Sequence, residues 1–268
     1  METPRLKRRD TELEYQARQA RTLADIQPIR HETIRRYREC RGARLHRKDY
    51  TFSLIHKIDP RTILDFGCGD GVCSLQLAHC GYRVTGFDVS PELIAVARQR
   101  AKLENLGDRV VFFEAAGEDL ALTNQFDAAL VQLVLHHVLI RPCLESLTRM
   151  LKPRGWVIIV EPVGYCRWLQ WLRDRVPIEK DISPNERQLN KADLAVIEEF
   201  FEFVECRHFR LLSRLDRILP QWIGPLRWFI GRVLLAVDFA ILKIPGAHRF
   251  AGTIVILGRL RPASHESR

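Results

Sequence analysis

Four groups of residues have the types and spacing that chemistry requires. In the first, the apolar pair Ile63-Leu64 leads to Asp65, and Gly67, Gly69 and Gly71 follow at alternate positions ahead of helical periodicity. That order reads as a buried strand, a tight turn, and a helix whose N-terminus faces a ligand. Glycine permits backbone angles that a Cβ forbids and lets a bound molecule approach the main chain. The second is Asp88, which ends the apolar run 82–87 and lies 17 residues after Gly71. A carboxylate accepts two hydrogen bonds and donates none, which suits a pair of ribose hydroxyls. The third is His136-His137, beyond the apolar run 126–132. Imidazole titrates near neutrality, so His137 is a candidate base for an acceptor hydroxyl; the plainer alternative is a histidine that fixes its loop by hydrogen bonds. The fourth is Glu161, a second candidate base, placed where a strand would end on the ligand-bearing edge of a sheet.

The elements that must position these groups follow from the patterning. Strands are expected at about 62–66, 82–87, 109–113, 126–132 and 156–160, with helices at about 71–80, from 91, and 144–151 between them. Ser90 is a suitable cap for the second helix, and Pro91 suits its first turn. Residues 152–155 read as a turn, 177–190 as a polar connector, 191–200 as a helix, and 203–212 and 252–258 as two further strands. Strands alternating with helices make an α/β chain built on a mostly parallel sheet.

The glycine spacing separates two kinds of nucleotide site. A dinucleotide fingerprint is G-x-G-x-x-G, and Val72 stands where its third glycine would fall. The pattern Asp65-x-Gly67-x-Gly69-x-Gly71 instead resembles motif I of the class I S-adenosylmethionine-dependent methyltransferases. Gly86-Phe87-Asp88-Val89-Ser90-Pro91 is similar to the second motif of that family. Phe126-Asp127 followed by Leu135-His136-His137 resembles its fourth-strand segment, and Leu151-Lys152-Pro153-Arg154-Gly155 resembles its L-K-P-G-G turn, with Arg154 in a glycine position.

The resemblance covers residues 62–162. It implies a three-layer Rossmann-like sandwich with a seven-stranded, mostly parallel sheet ordered 3-2-1-4-5-7-6, strand 7 being antiparallel. It implies S-adenosyl-L-methionine as cofactor, contacted by Asp65, Gly67, Cys68, Gly69, Gly71, Asp88, Val89, Gly117, Glu118, Gln132 and Leu133. One departure bears on adenine: Ala116 replaces a carboxylate usual there, so Gly117 backbone groups or Glu118 would have to serve. The implied activity is methyl transfer to a small-molecule or lipid-linked acceptor at O or C. Rival readings are an RNA or protein methyltransferase and a catalytically inactive cofactor-binding module. The lack of an Asn/Asp-Pro-Pro-Tyr/Phe/Trp segment weighs against methylation of nucleic-acid bases.

Composition sets the outer bounds. Seven irregularly spaced cysteines show no metal-ligand spacing and read as free thiols of a cytoplasmic protein; no metal is expected. Net charge divides unevenly, +6 for residues 1–49, −5 for 50–206 and +8 for 207–268. Basic segments flanking an acidic core suit an anionic membrane surface as well as solvated helix faces. Residues 1–50 read as a helical leading segment and 51–268 as the methyltransferase domain, with apolar insertions at 163–176 and 218–246. Tyr37, in the leading segment, could wall the cofactor or simply pack on the domain edge. If 226–243 is one helix at about 100° per residue, Arg227, Arg232, Asp238 and Lys243 share an arc of about 160°. Four charges argue against a spanning helix, which leaves a peripheral membrane contact, a lid over a greasy acceptor, or packing on the domain or on a dimer partner, the oligomeric state being open.

Overall fold

Alternation along the strands decides what each face of the sheet buries. In β1 (Thr62–Phe66), Ile63 points to one side, and Leu64 and Phe66 to the other. Later strands repeat this: Leu130, Ile158, Val160, Val255 and Leu257 join Ile63, while Val131, Val157, Ile159, Ile254 and Ile256 join Leu64. A sheet apolar on both faces must be covered on both. The computed structural model describes residues 26–117, 122–166, 187–217 and 219–262, with single positions 14, 17, 18, 20, 23 and 168.

After β1 the chain runs through α3 (Val72–His79), β2 (Arg83–Asp88), α4 (Pro91–Leu103), β3 (Val110–Glu114), β4 (Phe126–Gln132), α5 (Ile140–Met150) and β5 (Leu151–Pro162). It continues with α6 (Lys191–Phe200), β6 (Phe201–Phe209), α7 (Gly224–Ile241) and β7 (Thr253–Leu260). Two helices, α1 (His31–Glu39) and α2 (Arg47–Ile58), precede β1. The sheet order is β3-β2-β1-β4-β5-β7-β6, with β1 to β5 parallel and β7 antiparallel to both its neighbours. Residues from α2, α3 and α4 cover the face of Ile63, and residues from α5 and α6 cover the face of Leu64. Each fully buried leucine here, such as Leu130 or Leu144, contributes about 1.5–3 kcal/mol.

Three boundaries differ from the sequence reading, each for a local reason. The division expected at residue 50 falls inside α2, whose Phe52, Leu54 and Ile55 are core residues. The turn expected at 152–155 is part of β5: Leu151 pairs with Phe126, and the register shifts before Ala128 pairs with Trp156. Arg154 adopts the left-handed backbone (φ 59°) that a glycine would otherwise supply. β6 stops at Phe209 rather than Leu212, because the N–H groups of Leu211, Leu212 and Ser213 donate to Asp238 instead of to a neighbouring strand. Of the insertion at 163–176, positions 167 and 169–176 lie outside the described residues.

Candidate active site

The parallel registers set Asp65 beside Gly86, Phe66 beside Val131, and Gln132 beside Val160, so β1, β2, β4 and β5 end along one edge. The glycine loop leaves β1 at this edge. Gly67, Gly69 and Gly71 all have positive φ (72°, 53° and 77°). A Cβ on Gly67 would lie 2.5 Å from Val134, and one on Gly71 would lie 2.7 Å from Ala97 and 2.8 Å from Phe112. Gly69 is different: nothing lies within 4 Å of the space a Cβ would fill. Cys68 N–H donates to the Phe87 carbonyl at 2.9 Å and ties the loop to β2.

Asp88 completes this corner. Its Oδ2 accepts from Gly69 N–H at 2.9 Å, and its Oδ1 accepts from Ser90 N–H at 3.1 Å. Ser90 also caps α4, accepting from Leu93 N–H at 3.3 Å. Two of the roughly four lone-pair directions of the carboxylate are thus used by backbone. Asp65 is buried and accepts from Ser74 Oγ; burial pushes its carboxyl up to about 6 against the lowering effect of that hydrogen bond. Val89 is half-buried next to Asp88. Ala116 is buried, and the Gly117 carbonyl accepts from Ser146 Oγ, while Glu118 lies outside the described residues.

At the end of β4 the chain passes Gln132, half-buried, and Leu133, exposed with φ 61°. Leu133 N–H donates to the Val160 carbonyl. The next turn is held by Glu161. This carboxylate has no exposed surface; its Oε1 accepts from Val134 and Leu135 N–H at 2.7 and 2.8 Å, and its Oε2 meets His136 Nδ1 at 2.6 Å. Glu161, expected as a candidate base, therefore spends both oxygens inside the protein. His137 is half-buried, its ring centroid 3.9 Å from that of His136. The His136–Glu161 pair went unread in the sequence; its signal was that Gln132 pairs with Val160 in neighbouring parallel strands, so the residues that follow them meet. Also unread is a cluster formed by residues beyond β5 and at the end of β6. There Tyr165 Oη lies 3.3 Å from His208 Nε2, and burial, then the nearby His248, push His208 down to about 4. Tyr37 stacks on Phe52 with ring centroids 4.6 Å apart.

Residues 64–159 match the model of a methyltransferase domain family. They span β1 to β5, with the glycine loop, Asp88 and the β4 turn inside them. This stretch is similar to the methyltransferase domains of that family. The motifs at 65–71 and 86–91 within it imply S-adenosylmethionine as cofactor. The mitochondrial ubiquinone biosynthesis O-methyltransferase of Schizosaccharomyces pombe is 37% identical over 101 residues, 37% of each chain. The ubiquinone biosynthesis O-methyltransferase of Xanthomonas oryzae pv. oryzae is 36% identical over 116 residues, 41% of this chain and 46% of that one. The matches thus span about half or less of these relatives. Among solved structures, the geranyl diphosphate C-methyltransferase of Streptomyces coelicolor A3(2), bound to S-adenosyl-L-homocysteine, covers 96% of this chain and 98% of its own at a TM-score of 0.61 and 14% identity. The cyclase SpnF covers 78% and 80% at a TM-score of 0.55 and 22% identity. These likenesses show the fold; that one neighbour is a cyclase illustrates why chemistry must be argued from the site.

The domain fits this cofactor on the evidence of its own loop. The open space at Gly69 leaves the main chain accessible, with the Asp88 carboxylate held beside it. Among the described residues, no group of three or more His, Cys, Asp or Glu is placed to hold a metal.

Proposed function

We propose that this chain transfers a methyl group to a hydroxyl oxygen of a small-molecule or lipid-linked acceptor, of the kind a ubiquinone precursor represents. The single observation that carries this reading is the β4 turn, pinned by Glu161 so that His137 stands at the strand end that in the family lies beneath the transferred methyl. The relatives named as ubiquinone biosynthesis O-methyltransferases support oxygen as the methylated atom. When bound, the cofactor supplies an electrophilic methyl on a sulfonium. Asp88 and the backbone of the 67–71 loop would hold its adenosine and methionine parts. His137 would take the acceptor proton, and Glu161 acts through the turn as a positioning residue.

We assign the α7 region to peripheral contact with an anionic membrane at its cytoplasmic face. α7 exposes Leu226, Phe229, Val233 and Val237, with Trp222 and Trp228 beside them, and residues 207–268 carry +8. The seven free thiols accord with a reducing compartment.

Turnover with a prenylated polyphenol as probe acceptor tests the roles of His137 and Glu161. His137→Ala should lower turnover by about 10²–10⁴-fold at unchanged melting temperature and unchanged S-adenosylhomocysteine affinity. Glu161→Gln leaves a buried network incomplete, at about 1–3 kcal/mol, and should lower melting temperature and turnover together. Full turnover in His137→Ala would remove the base from the account.

A further inference from the structure

A cavity of about 360 Å³ lies between the start of α2, the end of β6 and the inward face of α7. Its walls carry Arg44, Arg47, Arg207, Arg210 and Lys243, and among its described lining residues the only carboxylate is Asp238. Asp238 is buried and already committed: it accepts from Leu211, Leu212 and Ser213 N–H at 2.9, 2.6 and 3.1 Å. The cations are also oriented. The Arg207 guanidinium lies 4.9 Å from the ring of Tyr50, 5.0 Å from Phe209 and 4.9 Å from Phe239, and it donates to the Ala43 and Arg44 carbonyls. Lys243 sits 4.2 Å from the Phe239 ring centre. Arg47 is half-buried, and burial, followed by the charge of Arg210, lowers its pKa.

Gathering five cations around one hollow raises the energy of each, and an anion in the hollow reverses that sign. A carboxylate brings one charge and two oxygens. A phosphate brings up to two charges and three oxygens and so can meet several of these cations at once. We propose that this cavity binds a phosphate group, carried either by a phospholipid headgroup or by a soluble phosphate ester. The site stands on these cations alone and does not depend on methyl transfer.

Calorimetric titration of the full chain with pyrophosphate at low salt tests it. Wild type is expected to bind, and Arg47→Gln and Lys243→Gln are each expected to weaken binding about tenfold or more, with S-adenosylhomocysteine affinity unchanged. Lys243 is exposed, so its variant keeps the test open should Arg47→Gln fail to fold. Sedimentation with phosphatidic acid vesicles separates the sources. Release of the chain by pyrophosphate assigns the site to a lipid headgroup, and retention alongside pyrophosphate binding assigns it to a soluble ester. Absence of pyrophosphate binding by wild type, or equal binding by the variants, would overturn the proposal.

Discussion

Asp65 shows how a single residue of the site trades stability for position. It is buried with its carboxyl raised to about 6, chiefly by loss of solvent, whereas an unfolded chain would hold it near the ordinary value of 3.8. Between these values the folded state binds more protons than the unfolded one. The Asp65 contribution to stability is therefore most favourable below the lower value and is lost as pH rises through about 6. Asp65→Asn removes that loss and should raise stability at pH 7 by up to about 3 kcal/mol, with the gain shrinking toward pH 4. Denaturant unfolding at the two pH values checks this; a gain that persists at pH 4 would show that the carboxylate is not the source. The Asp65 environment could not be read in the sequence. Its position at the strand end was visible, but its partner Ser74 becomes a neighbour only when α3 folds back onto β1.

At the scale of the element, α7 carries its polarity the unusual way round. At about 100° per residue, Phe229, Val233, Leu226 and Val237 fall within an arc of about 80° that faces outward, while Asp238 faces in. The helix is therefore docked by a buried carboxylate that accepts three backbone N–H groups and is left apolar outside. No helix among the described residues is long and apolar enough to cross a membrane. Phe229→Ser with Val233→Ser should abolish co-sedimentation with anionic vesicles at unchanged melting temperature, since both side chains are exposed. A lowered melting temperature with unchanged vesicle binding would return this face to protein packing. The charge arc of α7 was legible in the sequence. Which side turns inward was not, because it is decided by N–H groups 25 to 27 residues away.

At the scale of the whole molecule, sheet order and the glycine corner were readable because their causes are local or periodic. Short continuous apolar runs mark the strands, and Asp65, the three glycines and Asp88 sit in two short segments. The His136–Glu161 pair and the cationic cavity were hidden because they form only across strands or between segments far apart. Arg44 and Arg47 come from the basic leading segment, and Arg207, Arg210 and Lys243 from the basic trailing one; the two meet in the fold. The methyl-transfer reading rests on the 65–88 corner being a cofactor site. Calorimetry with S-adenosylhomocysteine on wild type and Asp88→Ala tests that most directly. Wild type should bind it and should not bind NAD, and Asp88→Ala should lose about 1.5–3 kcal/mol for each charge-assisted hydrogen bond removed, a weakening of at least about tenfold. Equal affinity in the two proteins, or NAD bound as tightly by wild type, would contradict the assignment.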